Sequence, residues 1–562
     1  MLDLIIRGGT IVDGTGLPGY RGDVGIQAGR IVSVGRPLTG ESRRLIDAAG
    51  RIVSPGFVDP HTHYDAQVLF DPYAFPAIEH GITTVVTGNC SLSMAPVRAG
   101  DRDRFSKMFR LIEEMPEAAF SKGVDWRWGE RFDGLVESLR GNVALNVAPL
   151  VGHSVLRLFV MGDEARRAAT DDEIRAMCDL LRECLEAGAV GLSTSYVDME
   201  DDLRPVPSRW AEHGELRALC AVLGEHGRML QIVHEFFDPG LTVTRVQMLG
   251  QLSREFGIPT TLSPLFHSEA MPDTVERVLD AVTAEWTAGG RVWPQVQTRP
   301  IDISWTLDQR SIMFLIIPGW WSVLSLPTKA EKLAAFADPA TRARLVGGLE
   351  MLGNMPGSNL NAAGFVVRAV ALERNRHMVG RALGDIAAER GTTAPELIID
   401  LAVEEDLGTW FMRADIGHRD PQAVGAMLSH PLVHVGASDG GAHVGSFATY
   451  GDTGLLLARF VRETGAMRLE EAVKKITADP CAIWGLRNRG TLTEGYAADV
   501  AVFDAATVDR GPEVASDDFP GGGIRWIRRQ VGMDTVVVNG DVTWTAADGY
   551  TADARGGVIA SA

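Results

Sequence analysis

The stretch Gly56-Phe57-Val58-Asp59-Pro60-His61-Thr62-His63 limits what this chain can become more than any other. On extended backbone, residues i and i+2 point to the same side, so His61 and His63 can aim both imidazoles at one point. Neutral imidazole is a good ligand for zinc and similar ions. Two histidines do not complete a metal site, and the missing ligands must come from elsewhere in the chain.

Strand-like apolar runs alternate with helix-period segments through the middle of the sequence, the pattern of a parallel sheet with helical crossovers. Candidate strands fall at 52–58, 83–87, 143–150, 189–193, 229–233, 260–266, 292–297 and 432–437. Eight strands close a (β/α)8 barrel, so the expected class is α/β, a TIM barrel over 55–485. Between the third and fourth strands, Thr170-Asp171-Asp172-Glu173 is a capping box before the apolar series Ile174, Met177, Leu180, Leu181 and Leu185, and Gly188 ends the helix.

Residues 1–54 read instead as short strands at 4–7, 10–13, 23–27 and 30–34 between glycine-rich turns, and the same texture returns at 499–503 and 534–540. Strands this short cannot bury a face alone, so 1–54 and 486–562 are expected to join in one small β-sandwich. A long excursion, 299–431, precedes the last barrel strand and carries Trp305, Trp320 and Trp321. An insertion of this length is expected to be a lid or pocket wall, or else an outer helical layer or oligomer contact.

The chain has 562 residues, 45% apolar and 23% charged, with a formal net charge of -19. That balance argues against nucleic acid or an anionic membrane as partner, since both need a basic face. The N-terminus lacks a basic segment followed by an apolar one, and the run 312–323 is broken by Pro318 and Gly319, short of the ~20 residues that span a bilayer. Cys90, Cys178, Cys184, Cys220 and Cys481 show no disulfide spacing. A reduced cytoplasmic enzyme is expected, with a small molecule and further copies of the same chain as partners.

Active sites of such barrels lie at the C-terminal ends of the strands. There stand His61 and His63 after strand one, Cys90 in Gly88-Asn89-Cys90-Ser91 after strand two, His153 after three, His234 after five, His267 after six and Asp439 in Ser438-Asp439-Gly440 after eight. A lone histidine at a strand end is ordinarily a satisfied polar residue. So many ligand types at one end of one barrel are hard to explain by packing.

This set resembles the metal-dependent amidohydrolase superfamily, which also builds a flanking β-sandwich from both termini. Gly88-Asn89-Cys90, Gly152-His153-Ser154-Val155-Leu156-Arg157, Gly191-Leu192-Ser193-Thr194 and Ser438-Asp439-Gly440 resemble more narrowly its D-aminoacylase (N-acyl-D-amino-acid deacylase) branch. Many superfamily members bridge two metals with a carboxylated lysine, yet no lysine occurs between Lys122 and Lys329. The resemblance gives that bridging role to Cys90. It implies one tightly held zinc on Cys90, His234 and His267, and a weaker second site on His61 and His63 sharing Cys90.

The implied chemistry is hydrolysis of an amide carbon–nitrogen bond by metal-activated water. Asp439, itself within reach of the metal, would act as general base and then as acid toward the leaving nitrogen. His153 would donate to the oxyanion or else pack, and His443 is a further candidate for substrate contact. Cyclic amide, imide or lactone opening is the alternative enzyme reading, and a non-catalytic metal-binding scaffold is the alternative from another class.

Three positions depart from the branch. His267-Ser268-Glu269 places an acid where the family has a lysine, no arginine follows Ser438-Asp439-Gly440 before Arg459, and Tyr196 stands closer to Gly191 than the family's tyrosine does. Without those carboxylate anchors, and with Glu269 in the pocket, the expected substrate is a neutral or cationic amide, bulky and apolar to suit the tryptophans of the insertion.

Overall fold

Gly56 divides the first apolar run into two strands with different partners. In the computed structural model, which describes residues 1–200, 202–315, 317–354, 360–551 and 556–559, Ile52–Pro55 joins the sheet built from the termini, whereas Phe57–Asp59 begins the barrel. A Cβ on Gly56 would stand 2.2 Å from Thr83 Oγ1, so the chain crosses between the two sheets where only glycine fits.

The barrel staves run parallel in two ladders. Phe57–Asp59, Ile82–Thr87 and Asn146–Pro149 form one. Val151–Gly152, Gly191–Ser195, Met229–Val233, Thr260–Ser263, Val292–Val296 and His434–Val435 form the other. The expected closed ladder is not formed: the third stave splits at Leu150, and the first and eighth do not pair as strands. The Val58 amide donates to Ile476 O at 2.8 Å, outside the barrel ladder, and Pro60 has no amide to offer. The seam is stitched just beyond the strand ends, where His63 N donates to Gly440 O at 2.8 Å and Asp439 N to His61 O at 3.2 Å. The stitches thus tie together the loops that carry the candidate ligands.

Helices pack outside the staves. Asp171–Glu186 starts at the Thr170–Glu173 capping box and buries Met177, Leu180, Leu181 and Leu185. A single large core of Val, Leu, Ile and Phe side chains joins staves and helices.

Both termini contribute strands to one hydrogen-bonded set of nine. Its own core takes Leu4, Ile6, Val24 and Ile26 from one end of the chain and Val500, Val502 and Val537 from the other. The segments 4–7 and 10–13 are not separate strands. They are one strand, Leu2–Ile11, whose register shifts between Ile6 and Gly9, with Gly8 at φ 74°. The glycine pair read as a turn is a bulge. Residues 552–555 and 560–562 of the C-terminal part lie outside the described residues.

Between the seventh and eighth staves, Ile303–Trp305, Val366–Ala369 and Trp410–Arg413 form a three-stranded antiparallel sheet. Trp305, Phe314, Trp320, Phe365 and Phe411 fill a separate core beneath it. Trp305 and Trp320 are therefore packing residues of the insertion, not the pocket wall expected of them. Residues 316 and 355–359 of this segment lie outside the described residues. Among the described residues, no helix is long and apolar enough to cross a membrane.

Candidate metal centre

His61 and His63 emerge from the first stave into a turn, and Cys90 from the second. Cys90 Sγ lies 3.6 Å from Nε2 of each histidine. The three donor atoms are all within 4.8 Å of one another. Asp439 Oδ1 completes the group, 3.4 Å from His61 Nε2 and 3.9 Å from His63 Nε2. Cys90, Ser91 and Asp439 hold φ of 53°, 66° and 55°. This left-handed backbone is unfavourable for such residues, and it turns the donors inward at the strand ends.

Two of the four donors are held from behind. His63 Nδ1 meets Glu113 Oε1 at 2.9 Å, at the last residue of helix Arg102–Glu113. Burial works against a charge on His63, but Glu113, with Asp439 and Asp65, pushes it up to about 9. Ser438 Oγ donates to the Asp59 carboxylate, and Gly440 N donates to Ser438 Oγ at 3.1 Å, which fixes the turn carrying Asp439. Burial raises Asp439 above the usual carboxylate range, while His443, His63 and Arg299 pull it back. Burial also raises the Cys90 thiol.

Two imidazoles, a thiol and a carboxylate converging this closely are a donor set suited to zinc, for which imidazole and thiolate are common ligands. A cation here would reverse the local cost of burying the thiolate and the carboxylate.

The remaining expected residues divide. His234 Nδ1 lies 3.1 Å from Ser263 O, and its Nε2 is buried with no hydrogen-bond partner among the described residues. Burial lowers it to about 4, so the ring is neutral. That leaves a free lone pair on Nε2, the state a metal ligand needs. His267 Nδ1 is likewise buried without a partner. Neither histidine falls within the tight group of His61, His63 and Cys90.

His443 lines the cavity beside Asp439, neutral through burial, at about 4. His153 is drawn away from the role of oxyanion donor. Its Nδ1 lies 2.9 Å from Thr194 Oγ1 and its Nε2 2.7 Å from Glu215 Oε1, so both nitrogens are engaged in a buried network that includes Arg157. Tyr196 lies under the Arg245 guanidinium, 3.5 Å from its ring centroid, and is not part of the cavity wall. Glu269 is not an unpaired acid in the pocket either: it faces Arg419 at 3.7 Å, with both side chains about two-thirds exposed.

The cavity over the cluster measures about 920 Å³. Phe236, Phe237 and Phe266 make one apolar wall, and the insertion adds Ile301, Met313 and Leu352. Asp198 also faces it, held near 6 by burial. Sequence reasoning missed Glu113 and Asp198, and also the cavity arginines Arg299, Arg510 and Arg528. Asp198 and Arg299 follow the fourth and seventh staves outside any recognisable motif, and Arg510 and Arg528 come from the far C-terminal region.

The chain is similar over nearly its whole length to proteins of known activity. A D-aminoacylase of Alcaligenes xylosoxydans xylosoxydans is 29% identical over 99% of this chain and 97% of its own. The structure of an N-acyl-D-glutamate deacylase from Bordetella bronchiseptica, complexed with zinc and a phosphonate inhibitor, superposes with a TM-score of 0.70 at 27% identity, covering 100% of this chain and 99% of that one. A D-hydantoinase structure, at 14% identity and a TM-score of 0.53, shares the fold. The model of the amidohydrolase family matches residues 44–254 and 333–543, and on that match this chain belongs to the amidohydrolase family.

Proposed function

We propose that this protein is a zinc-dependent hydrolase that cleaves the carbon–nitrogen bond of an amide. The observation that carries the reading is the approach of Asp439 Oδ1 to both His61 Nε2 and His63 Nε2 beside Cys90, at the floor of a cavity large enough for a substrate. If three of these donors hold the ion, as in catalytic zinc sites, the fourth position stays open and the partly exposed Asp439 is placed to move a proton.

His61, His63 and Cys90 would hold one ion, the reverse of the order of tight and weak sites expected from the sequence, with His234 and His267 as the candidates for a second set that shares Cys90. The free, neutral Nε2 of His234 supports that assignment. When bound, zinc supplies Lewis acidity, lowering the pKa of water from ~15.7 toward 7 and polarising a carbonyl. The Asp439 carboxylate accepts the proton of the attacking water as its oxygen bonds to the amide carbon. It then passes that proton to the nitrogen, so the C–N bond breaks to give a carboxylic acid and an amine. An amine leaves poorly unless protonated, which is why one group serves both transfers. Ser438, bonded to Asp59, and Glu113, beside His63, orient the reacting groups. The apolar walls and the insertion exclude bulk water, with segment 299–431 acting as a lid or wall.

One solved D-aminoacylase has a binuclear metal centre with one-metal activation and second-metal attenuation, which supports two ion positions of unequal role. The test is metal analysis together with an amide panel assayed on wild type and Asp439→Asn. The expected result is retained zinc with turnover lowered by about 10²–10⁴. Full activity of Asp439→Asn would overturn the assignment, as would a zinc-loaded wild type that turns over no amide.

A further inference from the structure

His61 and His63 carry their donor atoms to one point, yet different groups stand behind them. Behind His63 is the Glu113 carboxylate. His61 Nδ1 is buried, and no hydrogen bond of ordinary geometry reaches it among the described residues. With Nε2 turned toward Cys90 and Asp439, the ring's proton belongs on Nδ1, where only an acceptor satisfies it. The side chain placed to accept it is Gln295, whose amide favours a proton on the His61 ring.

Gln295 lies on the seventh stave and is fully buried. Its two ends are told apart by their partners. Nε2 donates to Thr261 Oγ1 at 3.1 Å, on the sixth stave, and Thr261 Oγ1 in turn donates to Trp293 O at 2.7 Å. Oε1 accepts from the Ala437 amide at 3.1 Å, just past the eighth stave. A carbonyl oxygen has two lone pairs, so Oε1 can hold Ala437 and still take a second donor. Ala437 stands two residues before Asp439, and both have left-handed backbone, with φ of 56° and 55°. The turn passes so close that a Cβ on Gly436 would lie 2.7 Å from Gln295 Oε1, and the amide fits because glycine leaves room for it.

A partner behind a ligating imidazole fixes its tautomer and its orientation. Glu113 does this for His63 with a charge. Cys90 already feels four acids, Asp198, Glu113, Asp439 and Asp65, each of which opposes its ionisation. A carboxamide can orient His61 without adding a fifth.

We propose that Gln295 is the positioning residue of His61: Oε1 accepts the Nδ1 proton while it holds the Ala437 amide, so one side chain sets both a metal ligand and the turn that carries Asp439. The proposal rests on the metal reading of the cluster.

The test uses the full chain and two readouts besides turnover: zinc affinity by chelator competition, and the visible spectrum of the cobalt(II)-loaded protein. Gln295→Met keeps the shape and removes the acceptor. It is expected to weaken zinc binding about 10–100-fold and to shift the cobalt bands. At saturating zinc, its kcat on the best amide of the panel should fall while KM holds, because the turn carrying Asp439 loses a tether. Gln295→Glu can still accept from both His61 and Ala437, and should recover most of the zinc affinity and the wild-type spectrum. Gly436→Ala crowds Oε1 from the other side, and should shift the same bands with Gln295 in place.

Unchanged zinc affinity and cobalt bands in Gln295→Met would overturn the positioning role, even if that variant melts at a lower temperature. So would a Gln295→Glu that binds zinc no better than Gln295→Met. Should Gln295→Met not fold, Gly436→Ala decides: wild-type bands there would overturn the role, and shifted bands support it. A wild type that takes up no zinc would sink the metal reading itself, and this role with it.

Discussion

Glu113 Oε1 stands 2.9 Å from His63 Nδ1, and neither side chain is exposed by more than about 2%. A carboxylate behind a ligating imidazole fixes the tautomer and the ring's orientation, and it makes the far nitrogen a stronger donor. Glu113→Ala is therefore expected to weaken zinc binding about 10–100-fold. Glu113→Gln, which can still meet the ring, should lose less. Chelator-competition titration checks both, and equal affinities in wild type and Glu113→Ala would remove Glu113 from the site.

Gly56 lets the chain pass from the terminal sheet to the first stave against Thr83. Alanine there would press its Cβ on Thr83 Oγ1, Cγ2 and Cβ at 2.2, 2.3 and 2.8 Å. Both flanking strands are buried and paired, so neither yields freely. Gly56→Ala should cost about 1–3 kcal/mol, read as a lower denaturation midpoint. Thr83→Ala should recover part of the loss in the double variant, because two of the three close atoms are removed. An additive double variant would mean that the clash is not the cause.

The staves and the polar residues at their ends were legible because both obey short-range rules. Ile82–Thr87 and Met229–Val233 are apolar runs between helical stretches, and His61 and His63 share one side of an extended segment. The Gly8-Gly9 bulge was misread because a bulge and a turn use the same residues, and only pairing with a distant strand separates them. Glu113 could not be found in this way. Glu113 ends an amphipathic helix as any solvated acid would, and its burial becomes apparent only when the helix lies over His63. Arg510 and Arg528 lie in a hairpin whose pattern marks a strand pair but not the cavity it borders. His153 and Tyr196 occupy the right stave ends, but the His153 ring is bonded to Glu215 and the Tyr196 hydroxyl donates to Met248 Sδ. Position along a strand does not decide which way a side chain is spent.

Glu215 joins His153 and Arg157 in a pocket where each of the three is about 1% exposed or less. Removing the shared acid leaves a guanidinium buried with no opposite charge. Such truncations cost about 3–5 kcal/mol. Glu215→Ala should therefore unfold at a markedly lower urea concentration, and His153→Ala, which leaves the Arg157–Glu215 pair intact, at one nearer to wild type. If the two variants lose stability equally, the Arg157 pair is not what Glu215 supports.

Lys475 gives the stability a pH dependence that can be separated from the metal centre. Its Nζ donates to His430 O at 3.0 Å and Val433 O at 3.1 Å, and burial lowers it from the usual 10.5 to about 8. Between those two values the unfolded chain holds a proton that the folded chain has released. Stability must then rise with pH across this window, and below it the folded protein bears the cost of a buried ammonium. A shift of this size corresponds to about 3 kcal/mol at most across the window. Lys475→Met keeps the apolar stem and deletes the titrating group, so its stability should be flatter between pH 8 and pH 10.5 than that of wild type. Subtracting the two curves cancels the tyrosines and cysteines that titrate in the same range. A difference that does not change with pH would show that Lys475 is solvated well enough to keep its ordinary charge.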